Sequence, residues 1–162
     1  MKKYLFKIFI FLFLFLCFVP VNADTKSKEK TYVNARYGFK ITFPDIFTVS
    51  RESQNGDGIT LLNPEKKLHL LAWGSHNVLN ETLDSYYEKE KNFFTTVDRD
   101  MIDKNFYILE GTIPDSDGLY TSEAGKVTED KIIVYRFSYP KKDKEKFATM
   151  VSILNGNIIN GR

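Results

Sequence analysis

One cysteine, two histidines and one tryptophan stand in 162 residues. The cysteine, Cys17, lies inside an N-terminal apolar run. If that run is removed on export, the mature chain has no thiol. Disulfides, thiolate metal sites and thiol chemistry are then excluded, and the core alone must hold the fold. His69 and His76 are seven apart, an odd spacing that sends them to opposite faces of a strand. They cannot share a metal, so neither a metal nor a cofactor is expected. His69 is expected to pack beside Trp73, and His76 to lie in a loop.

Catalytic patterns are missing too. No serine stands in Gly-x-Ser-x-Gly, and no histidine is placed near one. Gly118 to Gly125-Lys126 has the wrong spacing for a phosphate loop and falls in a strand pair with no following helix. Asp115-x-Asp117-Gly118 looks like part of a calcium loop, but Ala124 occupies the position of the closing glutamate. Turn chemistry explains that cluster instead. No enzyme signature remains, and no residue is nominated as catalytic. There is no internal repeat and no low-complexity segment.

Charge of one sign is also lacking. The chain has 23 Lys and Arg against 21 Asp and Glu. Without Lys2, Lys3 and Lys7 the balance is 20 against 21, close to −1. Such a domain has no general pull toward nucleic acid or an anionic membrane.

The N-terminus supplies the clearest positive signal. Lys2, Lys3 and Lys7 precede an unbroken apolar run from Ile8 to Val19, and Val21-Asn22-Ala23 offers small residues at the positions a signal peptidase reads. This pattern predicts a signal peptide over residues 1–23, cleaved after Ala23, and a secreted or periplasmic protein. The alternative is a retained anchor. A spanning helix needs about 20 apolar residues, which this run reaches only with Pro20 and its neighbours. Bulky Phe15 and Leu16 before Cys17 argue against lipid attachment there. No stable membrane insertion is expected after cleavage. Residues 24–30 are polar and charged and are expected to be flexible. Residues 31–162 are expected to form a single domain.

Within that domain, Phe39, Ile41 and Phe43 alternate with Lys40 and Thr42, the period of a half-buried strand, and Pro44 ends it. One strand is predicted over Tyr32 to Pro44. Others follow over Phe47 to Arg51, Ile59 to Leu62 and Leu68 to Ser75. The last has apolar residues on both faces, which predicts a strand covered on both sides. Leu83, Tyr86, Tyr87 and Phe94 recur at helical spacing, with Asn80 as the expected N-cap. Val97 to Ile102, Phe106 to Ile113, Leu119 to Val127 and Ile132 to Tyr139 read as strands. Phe147, Met150, Val151 and Leu154 form one face of a closing helix, with Asp143 as its start and Asn155-Gly156 as its end. Strands in runs with two amphipathic helices argue α+β with a mainly antiparallel sheet.

Tyr37-Gly38-Phe39-x-Ile41-x-Phe43-Pro44 resembles the opening of the PsbP-like family, whose fold is shared with the Mog-type nuclear-transport proteins. The order of elements is similar over the whole mature chain. The family often carries a tryptophan soon after the proline; Ile46-Phe47 stand there here. The resemblance implies an α/β/α sandwich and a non-enzymatic accessory, assembly or binding role through a protein partner. One branch is photosynthetic, and nothing in this sequence supports that role.

A candidate site can also be read from the residues. Arg136 falls on an apolar strand face with Ile132 and Val134, where an arginine needs a partner or an exit to water. Glu110 is the expected partner. Arg36, Trp73, Tyr86 and Arg136 are expected to line one groove between sheet and helix, fit for an anionic or peptide ligand. Core aromatics and snorkelling arginines are the alternative reading of these four.

Overall fold

Asn34 closes the first turn. Its side-chain oxygen accepts from the Tyr37 amide at 2.9 Å, its carbonyl accepts from Gly38 at 3.0 Å, and Gly38 takes a φ of +67°. The expected single strand over Tyr32 to Pro44 is therefore a hairpin of β1 (Glu29–Asn34) and β2 (Phe39–Pro44). Glu29 and Lys30, expected to be flexible, pair with Pro44 and Phe43, and Lys30 meets Asp45 at 2.5 Å. The computed structural model describes residues 28–160. The expected leader over residues 1–23, with Cys17, lies outside the described residues.

The remaining strands are β3 (Val49–Glu52), β4 (Gly58–Asn63), β5 (Leu68–His76), β6 (Thr96–Asp103), β7 (Phe106–Thr112), β8 (Leu119–Val127) and β9 (Lys131–Pro140). They form one seven-stranded sheet in the order β3-β4-β5-β9-β8-β7-β6, with every neighbouring pair antiparallel. After β5 the chain crosses to the far edge through α1 (Leu83–Phe93), then returns strand by strand until β9 closes against β5. A single 3-10 turn, Lys141–Asp143, leads into α2 (Lys144–Asn160).

Both helix boundaries differ from expectation. Thr82, not Asn80, caps α1; its side chain accepts from the Ser85 amide, while Asn80 sits in the preceding turn at φ 52°. α2 does not stop at Asn155-Gly156. Ile158 lies four residues beyond Leu154 on the same buried face, and that extra turn of burial outweighs the local stop signal.

The sheet has unequal faces. On one, α2 and the β1–β2 hairpin cover a core that includes Ile41, Leu61, Leu70, Ile108, Tyr135 and Phe137. On the other, α1 packs on β7 and β8 over Tyr107, Leu109, Val127, Ile132 and Val134. Layers of helix and hairpin, sheet and helix make this an α+β sandwich: the α+β class is what the strand and helix pattern predicts, and the layering is what the PsbP-like resemblance implies.

The α1 layer is incomplete. Leu68, Leu70 and Ala72 of β5 are buried beneath the hairpin, whereas His69, Leu71 and Trp73 on the opposite face are only half-buried. Thr60 and Leu62 of β4 repeat the pattern. β5 is thus covered on one side, not on both as expected, because the short α1 reaches only the β7–β8 half of the sheet.

Candidate functional site

The border between the covered and open halves is built around Arg136. β9 pairs with β8 in a register that sets Arg136 directly across from Glu123, and with β5 in a register that sets it across from Leu71. Both even-numbered Arg136 and odd-numbered Glu123 face α1. Arg136 Nε donates to Glu123 Oε2 at 2.5 Å, and Nη2 donates to Glu90 Oε2 of α1 at 3.0 Å. The guanidinium lies between two rings, 5.5 Å from the Trp73 centroid and 5.2 Å from that of Phe93. Tyr107 donates its hydroxyl to the other oxygen of Glu123 at 2.7 Å.

These groups are mostly out of water. The Glu123 side chain is fully buried, and those of Arg136 and Glu90 are 17% and 12% exposed. Burial pushes the Glu123 carboxyl up, and neighbouring Glu90 adds to this while Arg136 opposes it. For Arg136 burial works against the charge, but the two carboxylates outweigh it and its proton is held more tightly. Tyr107 is raised by burial first and by Glu123 next. His69 is lowered by burial and by Arg136. One cation serving two carboxylates makes a clamp between α1 and the sheet, not an acid–base pair, since Glu123 has no surface to offer a substrate.

Glu110, the expected partner of Arg136, is elsewhere. β8 lies between β7 and β9, and Glu110 faces α2, where its carboxylate accepts from Arg99 at 2.9 Å. Of the four residues expected in one groove, Trp73 and Arg136 lie together at a cleft of about 390 Å³. Tyr86 is behind them, buried with its ring 6.0 Å from that of Tyr107. Arg36 comes from the hairpin turn, stacks on Tyr37 and reaches only the rim, donating to Asp57 at 3.0 Å. Arg51, Thr60 and Leu71 complete the cleft. His69 and His76 take opposite faces of β5, and His76 ends that strand with its ring 5.2 Å from Tyr37.

Glu123, Glu90 and Phe93 were missed in the sequence. Glu123 had a usable signal, being the only charge between Leu119 and Gly125 in a strand that is otherwise buried. Glu90 and Phe93 had none, because their nearness to Arg136 depends on how α1 lies on the sheet.

Among the described residues, no group of three or more His, Cys, Asp and Glu could hold a metal ion. Among them too, no helix is long and apolar enough to cross a membrane. No family model and no curated relative matches the sequence. Among solved structures, the chain is similar to the solution structure of cyanobacterial PsbP (CyanoP) from Synechocystis sp. PCC 6803. The TM-score is 0.61 at 11% identity, over 81% of this chain and 91% of that one. The comparison carries the PsbP side of the expected resemblance and not the Mog-type side: the chain has a PsbP-like α+β fold.

Proposed function

We propose that this chain is a secreted or periplasmic, non-enzymatic accessory domain that acts through a protein partner. The observation that carries the proposal is the burial pattern of β4 and β5. Their hairpin-facing residues are buried, while Thr60, Leu62, His69, Leu71 and Trp73 are half-open to water. With Phe93, 44% exposed at the end of α1, they make an apolar shelf.

The shelf runs to an open edge. β3 pairs only with β4 among the described residues, so one side of Val49–Glu52 has free backbone donors and acceptors. An extended segment of a partner protein fits there, adding a strand beside β3 and setting alternate apolar side chains against the shelf. Arg51 is exposed and has no ion pair among the described residues, which favours an acidic residue in that segment. A free anionic ligand at Arg136 is disfavoured, because its charge is already matched by Glu123 and Glu90. Trp73 and Arg136 belong to this surface as its border, with Tyr86 supporting them from behind. The leader pattern supports export, and the resemblance to PsbP-like proteins supports an accessory role.

Native mass spectrometry of the mature protein purified from its own host tests the proposal. A stoichiometric protein mass should ride with the wild type and be lost in Leu62→Lys. A bare wild-type monomer, or a partner retained by Leu62→Lys, would contradict it.

A further inference from the structure

On the opposite side of the sheet, a second cavity lies between the β1–β2 hairpin, the β8–β9 bend and the last turns of α2. It holds about 130 Å³ and is lined by Phe39, Ile133, Tyr135 and Ile158, with Lys126, Thr128, Lys131 and Asn157 as its polar members. Both lysines sit on the cavity side of their strands, and neither forms an ion pair among the described residues, although the Asp130 carboxylate lies near enough to feel the charge of Lys131. Lys131 Nζ donates to the Tyr37 carbonyl at 3.0 Å, which leaves two of its three donors unused. Lys126 makes no side-chain hydrogen bond among the described residues.

Asn157 adds an independent observation. Its side-chain nitrogen is buried and has no hydrogen-bond partner. A buried donor left without an acceptor is destabilising, and native structures rarely tolerate one. The other hydroxyls at the site are engaged: Tyr135 donates to the Lys40 carbonyl at 3.0 Å, and Thr128 to Asp130 at 2.7 Å. At this site the one buried side-chain atom without a partner is a donor, Asn157 Nδ2, and two ammonium groups share a mainly apolar floor with it.

We infer that this cavity binds a small organic anion, a carboxylate on a compact apolar body of about benzene size. A closed cavity of about 150 Å³ accepts benzene; this one, at about 130 Å³, is slightly smaller but opens to solvent, so a ring can enter against Phe39, Ile133 and Ile158 with its substituent at the mouth. The carboxylate then receives charge-assisted hydrogen bonds from Lys126 and Lys131 and the unused N–H of Asn157. The site is separate from the partner shelf, with the sheet between them, and does not depend on it.

Titration of the ¹⁵N-labelled mature protein with sodium benzoate, and with benzyl alcohol as its neutral isostere, tests the inference. Benzoate should give saturable shifts at the amides of Gly38, Phe39, Ile133 and Ile158. Benzyl alcohol should bind about tenfold more weakly or worse, and Lys126→Met should weaken benzoate by about tenfold. Lys126 has no side-chain hydrogen bond or ion pair among the described residues for the variant to break, and the isostere comparison requires no variant at all. Absence of saturable shifts, equal affinity for the two probes, or unchanged benzoate affinity in Lys126→Met would each overturn the site.

Discussion

Arg136 and Glu123 face one another across β9 and β8 with Nε and Oε2 at 2.5 Å, and the carboxylate has no exposure to water. The pair sits where α1 ends its cover of the sheet. It therefore fixes the position of α1, through Glu90, and the border of the open shelf, through Trp73 and Phe93.

Arg136→Ala should destabilise the domain by about 3–5 kcal/mol, because it leaves Glu123 buried without a cation. Arg136→Met combined with Glu123→Leu should recover much of that loss, since an apolar pair needs no compensation. Urea denaturation of the single and double variants checks both statements. A double variant no more stable than Arg136→Ala would contradict this view of the pair.

The pH dependence has a definite sign. Glu123 is raised above the ordinary glutamate value of 4.5 by burial, so the folded protein takes up this proton more readily than the unfolded chain. Its contribution to stability is full below the unfolded value and is lost as pH rises through the folded one. Relative to Glu123→Gln, the wild type should gain stability as pH falls from 7 toward 4.5. A difference that stays flat, or grows with rising pH, in paired melting curves would contradict the assignment.

Gly125 faces Tyr107, and a Cβ there would overlap the Tyr107 ring. Gly125→Ala should cost about 1–3 kcal/mol through overpacking. It should also disturb the Tyr107–Glu123 hydrogen bond, readable as a shift of the Tyr107 ring resonances. An alanine variant as stable as the wild type would mean the α1 face is looser than described.

The far end of α2 gives a further check. Ile158 is 2% exposed and Ile159 is 41% exposed. Ile158→Ala should cost about 2–4 kcal/mol and Ile159→Ala under about 1 kcal/mol. Equal effects would mean the helix does not continue past Gly156 in solution.

Much of this fold could be read in the sequence, because strand and helix periods are local. Phe39, Ile41 and Phe43 alternate as a buried face should, and all three are the hairpin's own contribution to the core. The turn at Asn34 was harder to see, since Asn34 and Gly38 close it through side-chain and left-handed geometry within an otherwise strand-like run. Asn155-Gly156 misled for a related reason: a local stop signal yields to the burial of Ile158, which depends on the sheet beneath. The site was legible only in part. Alternation sets Arg136 with Ile132 and Val134, and Trp73 with His69 and Leu71, but strand order is invisible to it, so the sequence does not distinguish Glu110 from Glu123 as the partner of Arg136. The second face of β5 is half-open despite its apolar residues, because a sequence shows that a face is apolar and not what lies over it.

The most direct measurement is photocrosslinking from the shelf. A benzophenone amino acid placed at Leu71, and separately at exposed Ser152 of α2, is activated in cells of the protein's own host. A discrete adduct to one protein from position 71 and none from position 152 is the expected result. Mapping should then place the crosslink in an extended segment with alternating apolar residues and an acidic residue. No adduct from position 71, or the same adducts from both positions, would contradict a partner surface on this half of the sheet.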